Sequence, residues 1–120
     1  MRDGKSVLEA PAVTERGVLN KVGSWTLALA AREHGVPVHA IAIRRKFVPA
    51  ATPALSIAVM PPAELWDAPP AGVSPRNVYF EMVPMPLLRG VAVEGEVLGA
   101  SELAVAVADR ALPDELAAAL

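Results

Sequence analysis

A chain of 120 residues can build one small domain around a single core, and is short for an enzyme domain joined to a second module. Hydrophobic residues make up 53% and charged residues 20%, with a mean hydropathy of +0.39, which excludes the disordered class and leaves much apolar surface to bury or to share with a partner. With 11 Lys and Arg against 13 Asp and Glu the formal net charge is −2, so no chain-wide field attracts nucleic acid or an anionic membrane.

The opening MRDGKSVLEAPA carries acidic residues and no sustained apolar stretch, so it is not a secretory signal. Ser6 to Val13 reads as a short strand with Pro11 at an edge or end, and Thr14 to Gly17 as a turn. Ser24 is placed to cap a helix that finishes in Arg32-Glu33-His34 with Gly35 at the stop position. Val22, Trp25 and Leu29 form one apolar stripe on it and Leu27, Ala28 and Ala31 another, an arc wide enough to predict a helix wedged between layers. Val36 to Ile43 is nearly continuously apolar, which predicts a strand buried on both faces of a parallel sheet.

Arg44-Arg45-Lys46 and a Pro-rich connection lead to a second apolar run, Ala54 to Met60, and then to Pro61–Trp66, where the prolines suit one helical turn. Asp67 to Pro75 has loop composition, Asn77 to Val83 is a third strand candidate, Pro84 to Leu88 a short helical turn, and Arg89 to Gly99 a weaker strand with a turn. The tail reads as two helical pieces, the first capped by Ser101 and the second restarting at Pro113. Strands and helices in alternation predict an α/β fold. The apolar runs are broken by Arg32, Arg44, Arg89 and Asp109 before they reach the roughly 18 residues of a membrane span, so the expected home is the cytoplasm.

There is no cysteine, hence no disulfide, no thiolate metal site and no cysteine nucleophile in this chain. His34 and His39 lack carboxylates at ligand spacing, so neither metal nor cofactor is expected. Ligands of an open parallel sheet gather at the carboxyl ends of its strands, where helix N-termini also point. Asn20, Lys21, Gly23 and Ser24 at a helix entrance, Arg44, Arg45 and Lys46 after a strand, and Glu81 on another strand are therefore candidates for one phosphate-binding rim. Each also has a plainer reading. Lys21 can be a solvated lysine, Arg44 to Lys46 a solvated loop or gatekeeper after an apolar strand, Glu81 a backbone cap, and the four aromatics Trp25, Trp66, Tyr79 and Phe80 core or interface residues.

GVLNKVGSWTLALAAREHGVPVHAIAIRRKF resembles the Asn-Lys-[Val/Ile]-Gly-[Thr/Ser] segment, helix and strand of the translation initiation factor 2B alpha/beta/delta family, which includes methylthioribose-1-phosphate isomerase and ribose-1,5-bisphosphate isomerase. NVYFEMVPMPLL and VEGEVL resemble two later blocks of the same family, so the resemblance covers Val13 to about Leu98. It implies the C-terminal half of a Rossmann-like domain: a partial three-layer α/β fold with a short, mostly parallel sheet, residues 1–120 forming one domain with a helical tail over 100–120. It also implies that Asn20 and Lys21 lie at a sugar-phosphate pocket, with Glu81 where the family has Asp.

The departures from the family pattern matter too. Where the isomerases carry Gly-Ala-Asp, whose aspartate is their general acid/base, this chain has Glu9-Ala10-Pro11, and their catalytic cysteine belongs to an upstream half not found here. Glu9 is the nearby acid that would have to substitute. Two functions are open: a non-catalytic binding or regulatory protein that takes a phosphorylated sugar or nucleotide, and part of an aldose–ketose isomerase completed by another chain. Either implies self-association or a partner chain bearing the missing half-domain.

Overall fold

The computed structural model describes residues 6–9, 11–52, 55 and 57–110. Among the described residues, nine strands and two α-helices follow in the order β1 (Ser6–Glu9), β2 (Ala12–Thr14), β3 (Gly17–Lys21), α1 (Ser24–Glu33), β4 (Val38–Ile41), β5 (Val59–Met60), β6 (Asn77–Val78), β7 (Phe80–Pro84), β8 (Gly90–Val93), β9 (Glu96–Leu98) and α2 (Ala100–Asp109). Single 3₁₀ turns occupy Arg44–Lys46, Pro62–Glu64 and Met85–Leu87.

The strands form three sheets, ordered β1-β4-β8-β9, β2-β3-β7 and β5-β6. β1, β4 and β8 run parallel, but β2–β3, β3–β7, β5–β6 and β8–β9 are antiparallel. The described pairings are thus mostly antiparallel, which corrects the expectation of a mostly parallel sheet. The cause is local: two-residue connections such as Glu15-Arg16 and Glu94-Gly95 return the chain immediately, whereas a parallel pair needs a long crossover. At the first of these turns the Thr14 hydroxyl donates to the Gly17 carbonyl and accepts from the amides of Arg16 and Gly17, at 3.0, 3.1 and 3.1 Å.

Other boundaries shift for similar reasons. The strand expected over Ser6 to Val13 is two strands in different sheets, separated at Pro11, which has no N–H for a ladder. Asn77 to Val83 is likewise split at Tyr79. Gly17–Lys21, expected as the approach to a helix, is a full strand. Of the run from Ala54 to Met60, Val59–Met60 is a strand and residues 54 and 56 lie outside the described ones, as does the helical piece expected from Pro113. The α2 cap position is Gly99, with Ser101 already inside the helix.

The core joins Val13 and Val18, Val83, Val38, Ala40, Val91, Phe47 and, from α2, Leu103 and Val107. α1 enters it with Ser24, Ala28 and Ala31, small residues at helical spacing that let its backbone approach the sheet closely. Among the described residues α1 is not wedged between layers as expected: Trp25 and Leu29, on its other side, are 41% and 43% exposed. β4 is corrected in the same way. Val38, Ala40 and Ala42 are buried, while the alternate residues Ile41 and Ile43 are exposed, so the strand is covered on one face.

Candidate ligand site at the start of the first helix

β3 and β7 pair in a register that sets Asn20 opposite Glu81 and Lys21 opposite Phe80. Neighbouring strand residues point to opposite faces. Asn20 and Glu81 therefore share one face of this sheet, and Lys21 and Phe80 the other.

On the first face, α1 begins at Gly23, whose φ of 102° lies in the left-handed region that glycine adopts without strain. No side chain of α1's own entrance caps it, so Ser24 does not play the part expected from sequence. Glu81 does: its Oε1 accepts from the amides of Gly23 at 3.0 Å and Trp25 at 2.8 Å. The first turn of a helix has free N–H groups and a positive dipole end, and a carboxylate satisfies both. α1 carries no acidic residue of its own in that turn. Asn20 is only 6% exposed; its Oδ1 accepts from the Lys21 amide at 2.7 Å, while its Nδ2 is buried without a hydrogen-bond partner. A buried donor left unmatched costs on the order of 1–3 kcal/mol.

On the second face, the Lys21 ammonium stands 5.9 Å from the centroid of the Phe80 ring. Phe80 in turn lines a cavity of about 230 Å³ with Leu19, Leu55, Ile57, Ala58, Met60 and Tyr79. Its walls are apolar apart from Tyr79, whose hydroxyl donates to Glu64. That carboxylate raises the Tyr79 pKa above its usual value, chiefly through the hydrogen bond.

The remaining candidates are engaged elsewhere. The Arg44 amide donates to Glu94 Oε1 at 3.0 Å and its guanidinium to Glu96 Oε1 at 2.5 Å, which ties the 3₁₀ turn after β4 to the β8–β9 hairpin. Arg45 and Lys46 are exposed. Glu9 ends β1 opposite Ile41, and its side chain lies outside the described residues. The structure thus brings Asn20, Gly23, Ser24 and Glu81 together, sets Lys21 on the reverse side of the same strand, and gives Arg44 acidic partners of its own. Sequence reasoning missed the apolar cavity, because Leu19 and Phe80 meet Leu55, Ile57, Ala58 and Met60 only through tertiary folding.

The antiparallel β2-β3-β7 sheet with α1 laid on it and a parallel β1-β4-β8 unit beside it define a partial α/β fold of a recognised kind. The chain belongs to the Initiation factor 2 subunit family, whose sequence pattern matches residues 5–92. It is 32% identical over 103 residues to methylthioribose-1-phosphate isomerase of Oleidesulfovibrio alaskensis, covering 78% of this chain and 29% of the relative. The structure superposes on translation initiation factor eIF-2B subunit delta from A. fulgidus with a TM-score of 0.73, at 21% identity, over 88% of this chain and 34% of that one. A second superposition, on the tetrameric eIF2B-beta2-delta2 complex from C. thermophilum, has a TM-score of 0.61 at 23% identity and covers 90% of this chain and 31% of that one. The chain therefore spans about a third of the length of these relatives.

Proposed function

We propose that this protein is a non-catalytic, initiation factor 2B-like binding or regulatory protein whose ligand is a phosphorylated sugar or nucleotide held by the Asn20-Lys21 strand end. The observation that carries the reading is the exposed Lys21 ammonium over Phe80, a residue that lines an apolar cavity, with the unmatched Asn20 amide buried on the opposite face of the same strand. Lys21 would take the phosphate, and the cavity would take the less polar part of the ligand. Glu81 would act as the fixed cap that holds Gly23 and the strand end in place. The chemistry of aldose–ketose conversion needs acid/base groups at adjacent carbons. This chain has no cysteine, and Pro11 stands in the place where the resembling isomerases have their aspartate.

The test is calorimetric titration with ribose phosphates, methylthioribose 1-phosphate and nucleoside monophosphates. Lys21→Ala is expected to weaken binding of whichever ligand binds by about 1.5 to 3 kcal/mol, roughly 10- to 100-fold. Unchanged affinity would remove Lys21 from the site. A second reading, a piece of a sugar-phosphate isomerase completed by another polypeptide, is favoured by the 32% identity to an isomerase of which this chain matches 29%. Turnover of methylthioribose 1-phosphate by the pure chain, abolished by Glu9→Gln, would overturn the non-catalytic reading.

A further inference from the structure

At the opposite end of α1 from the candidate site lies a second concave surface. It is a groove of about 250 Å³ between the end of α1, the start of β4 and the start of β8, with a floor built from Val36, Pro37, Pro86 and Leu87 and with Arg32 and Arg89 on its rim. α1 stops there in a closed arrangement. Gly35, at φ 68°, lets its amide reach the Arg32 carbonyl at 3.1 Å, and the Val36 amide reaches the Ala31 carbonyl at 2.8 Å. The helix's last carbonyls thus have backbone partners, and the Arg32 guanidinium is not required as their cap. On the other rim the Arg89 backbone is fixed by its amide, which donates to the Val38 carbonyl at 2.7 Å, while its side chain is exposed. Among the described residues the ion pair is Arg44 with Glu96, so neither rim arginine has a carboxylate partner.

We infer that this groove is a docking surface for an extended acidic segment of a partner protein. A groove lined by two exposed arginines together with Val36, Pro37, Pro86 and Leu87 suits a segment that carries both carboxylates and an apolar side chain, and the planar guanidinium is the group best shaped to hold a carboxylate through two hydrogen bonds. The groove is smaller than the roughly 300–1,000 Å³ of enclosed small-molecule sites, so a peptide lying across it fits better than a buried cofactor. Its two prolines, Pro37 and Pro86, keep the floor rigid, so little ordering is needed when a segment docks. The inference is independent of the ligand at Lys21.

The test is nuclear magnetic resonance titration of the full chain with the capped tripeptide N-acetyl-Glu-Leu-Glu-amide, and in parallel with N-acetyl-Gln-Leu-Gln-amide. The acidic peptide is expected to move the amide signals of Arg32, Gly35, Val36 and Leu88 to saturation, with an affinity that falls as salt is added. The neutral peptide should bind at least about tenfold more weakly, as loss of charge-assisted bonds implies. The double variant Arg32→Gln, Arg89→Gln should lose the response, whereas Arg45→Gln, Lys46→Gln should keep it. Both rim arginines are exposed, so the double variant keeps the wild-type amide pattern away from the groove. The inference is overturned by an absence of saturable shifts at these amides, by equal binding of the two peptides, or by a response that survives in the double variant.

Discussion

The first turn of a helix favours a negative group, and at α1 that group is Glu81, received from the neighbouring strand, while Lys21 lies on the other face of β3. Its carboxylate takes two amides of the first turn of α1, so Glu81→Ala is expected to cost about 1–2 kcal/mol, with Glu81→Gln costing less because an oxygen acceptor remains. Urea denaturation measures this, and wild-type stability in Glu81→Ala would mean that α1 needs no cap. Gly17 makes a sharper demand. A Cβ there would lie 2.1 Å from the backbone oxygen of Val83, on the strand that pairs with it. Backbone cannot retreat as a side chain can, so Gly17→Ala should lower stability by about 2 kcal/mol or more, and a melting temperature equal to wild type would show that β3 and β7 are not this close. The role of Glu81 was half legible: its sequence position allowed a backbone cap or a ligand contact, and only the β3–β7 register decides which donors it meets. Nothing in the order of residues showed that Asn20 and Lys21 diverge, because that follows from Gly17–Lys21 being a strand.

The turn after β4 and the β8–β9 hairpin are joined through acidic side chains. The Glu94 carboxyl is held below its ordinary value, first by its own backbone amide, then by the amide of Arg44, with the charges of Arg44 and Arg110 adding to the effect. A depressed carboxyl pKa contributes stability that is present above the unfolded value and lost as pH falls through the folded one. Wild type should therefore lose more of its stability than Glu94→Gln when the pH is lowered from about 6 to about 3, as read from denaturation midpoints across that range. Parallel losses in the two proteins would remove Glu94 from the link. At this scale, sequence patterning located α1, its Gly35 stop and the Thr14 to Gly17 turn, since each rests on a local signal: helical spacing, a left-handed glycine, a hydroxyl that closes a turn. It did not locate the sheet directions. Short strands such as Val59–Met60 and Glu96–Leu98 have too few residues to display a period, and their partners are set by the tight turns around them. The same limit applies to β4, where an apolar run of Val, Ala and Ile looks alike whether one face is covered or two.

The molecule as a whole is thinner and more open than its length requires. Its principal extents are 50 × 44 × 18 Å and its radius of gyration is 16.2 Å, against about 14 Å for a compact domain of this length. It exposes 7685 Å² of surface. Part of that surface is strongly apolar. Ile41, Ala92 and Val97 are cross-strand neighbours on the open face of the four-stranded sheet, with Ile41 and Val97 46% and 55% exposed, and Trp25 and Leu29 face outward on α1. Parallel strands are ordinarily covered on both faces, so this open face calls for a second layer. Among the described residues β1 is also an edge strand, with one side of its backbone free to pair. The expected outcome is a homo-oligomer, or a complex with a polypeptide that supplies the missing layer. Sedimentation of the pure chain across micromolar concentrations should show association, with a melting temperature that rises with concentration, and Ile41→Glu with Val97→Glu should abolish it while leaving β4's buried face intact. A monomer that melts cooperatively at the same temperature throughout would mean that the slab is stable with its apolar face in water, and the expectation of a partner layer would fall.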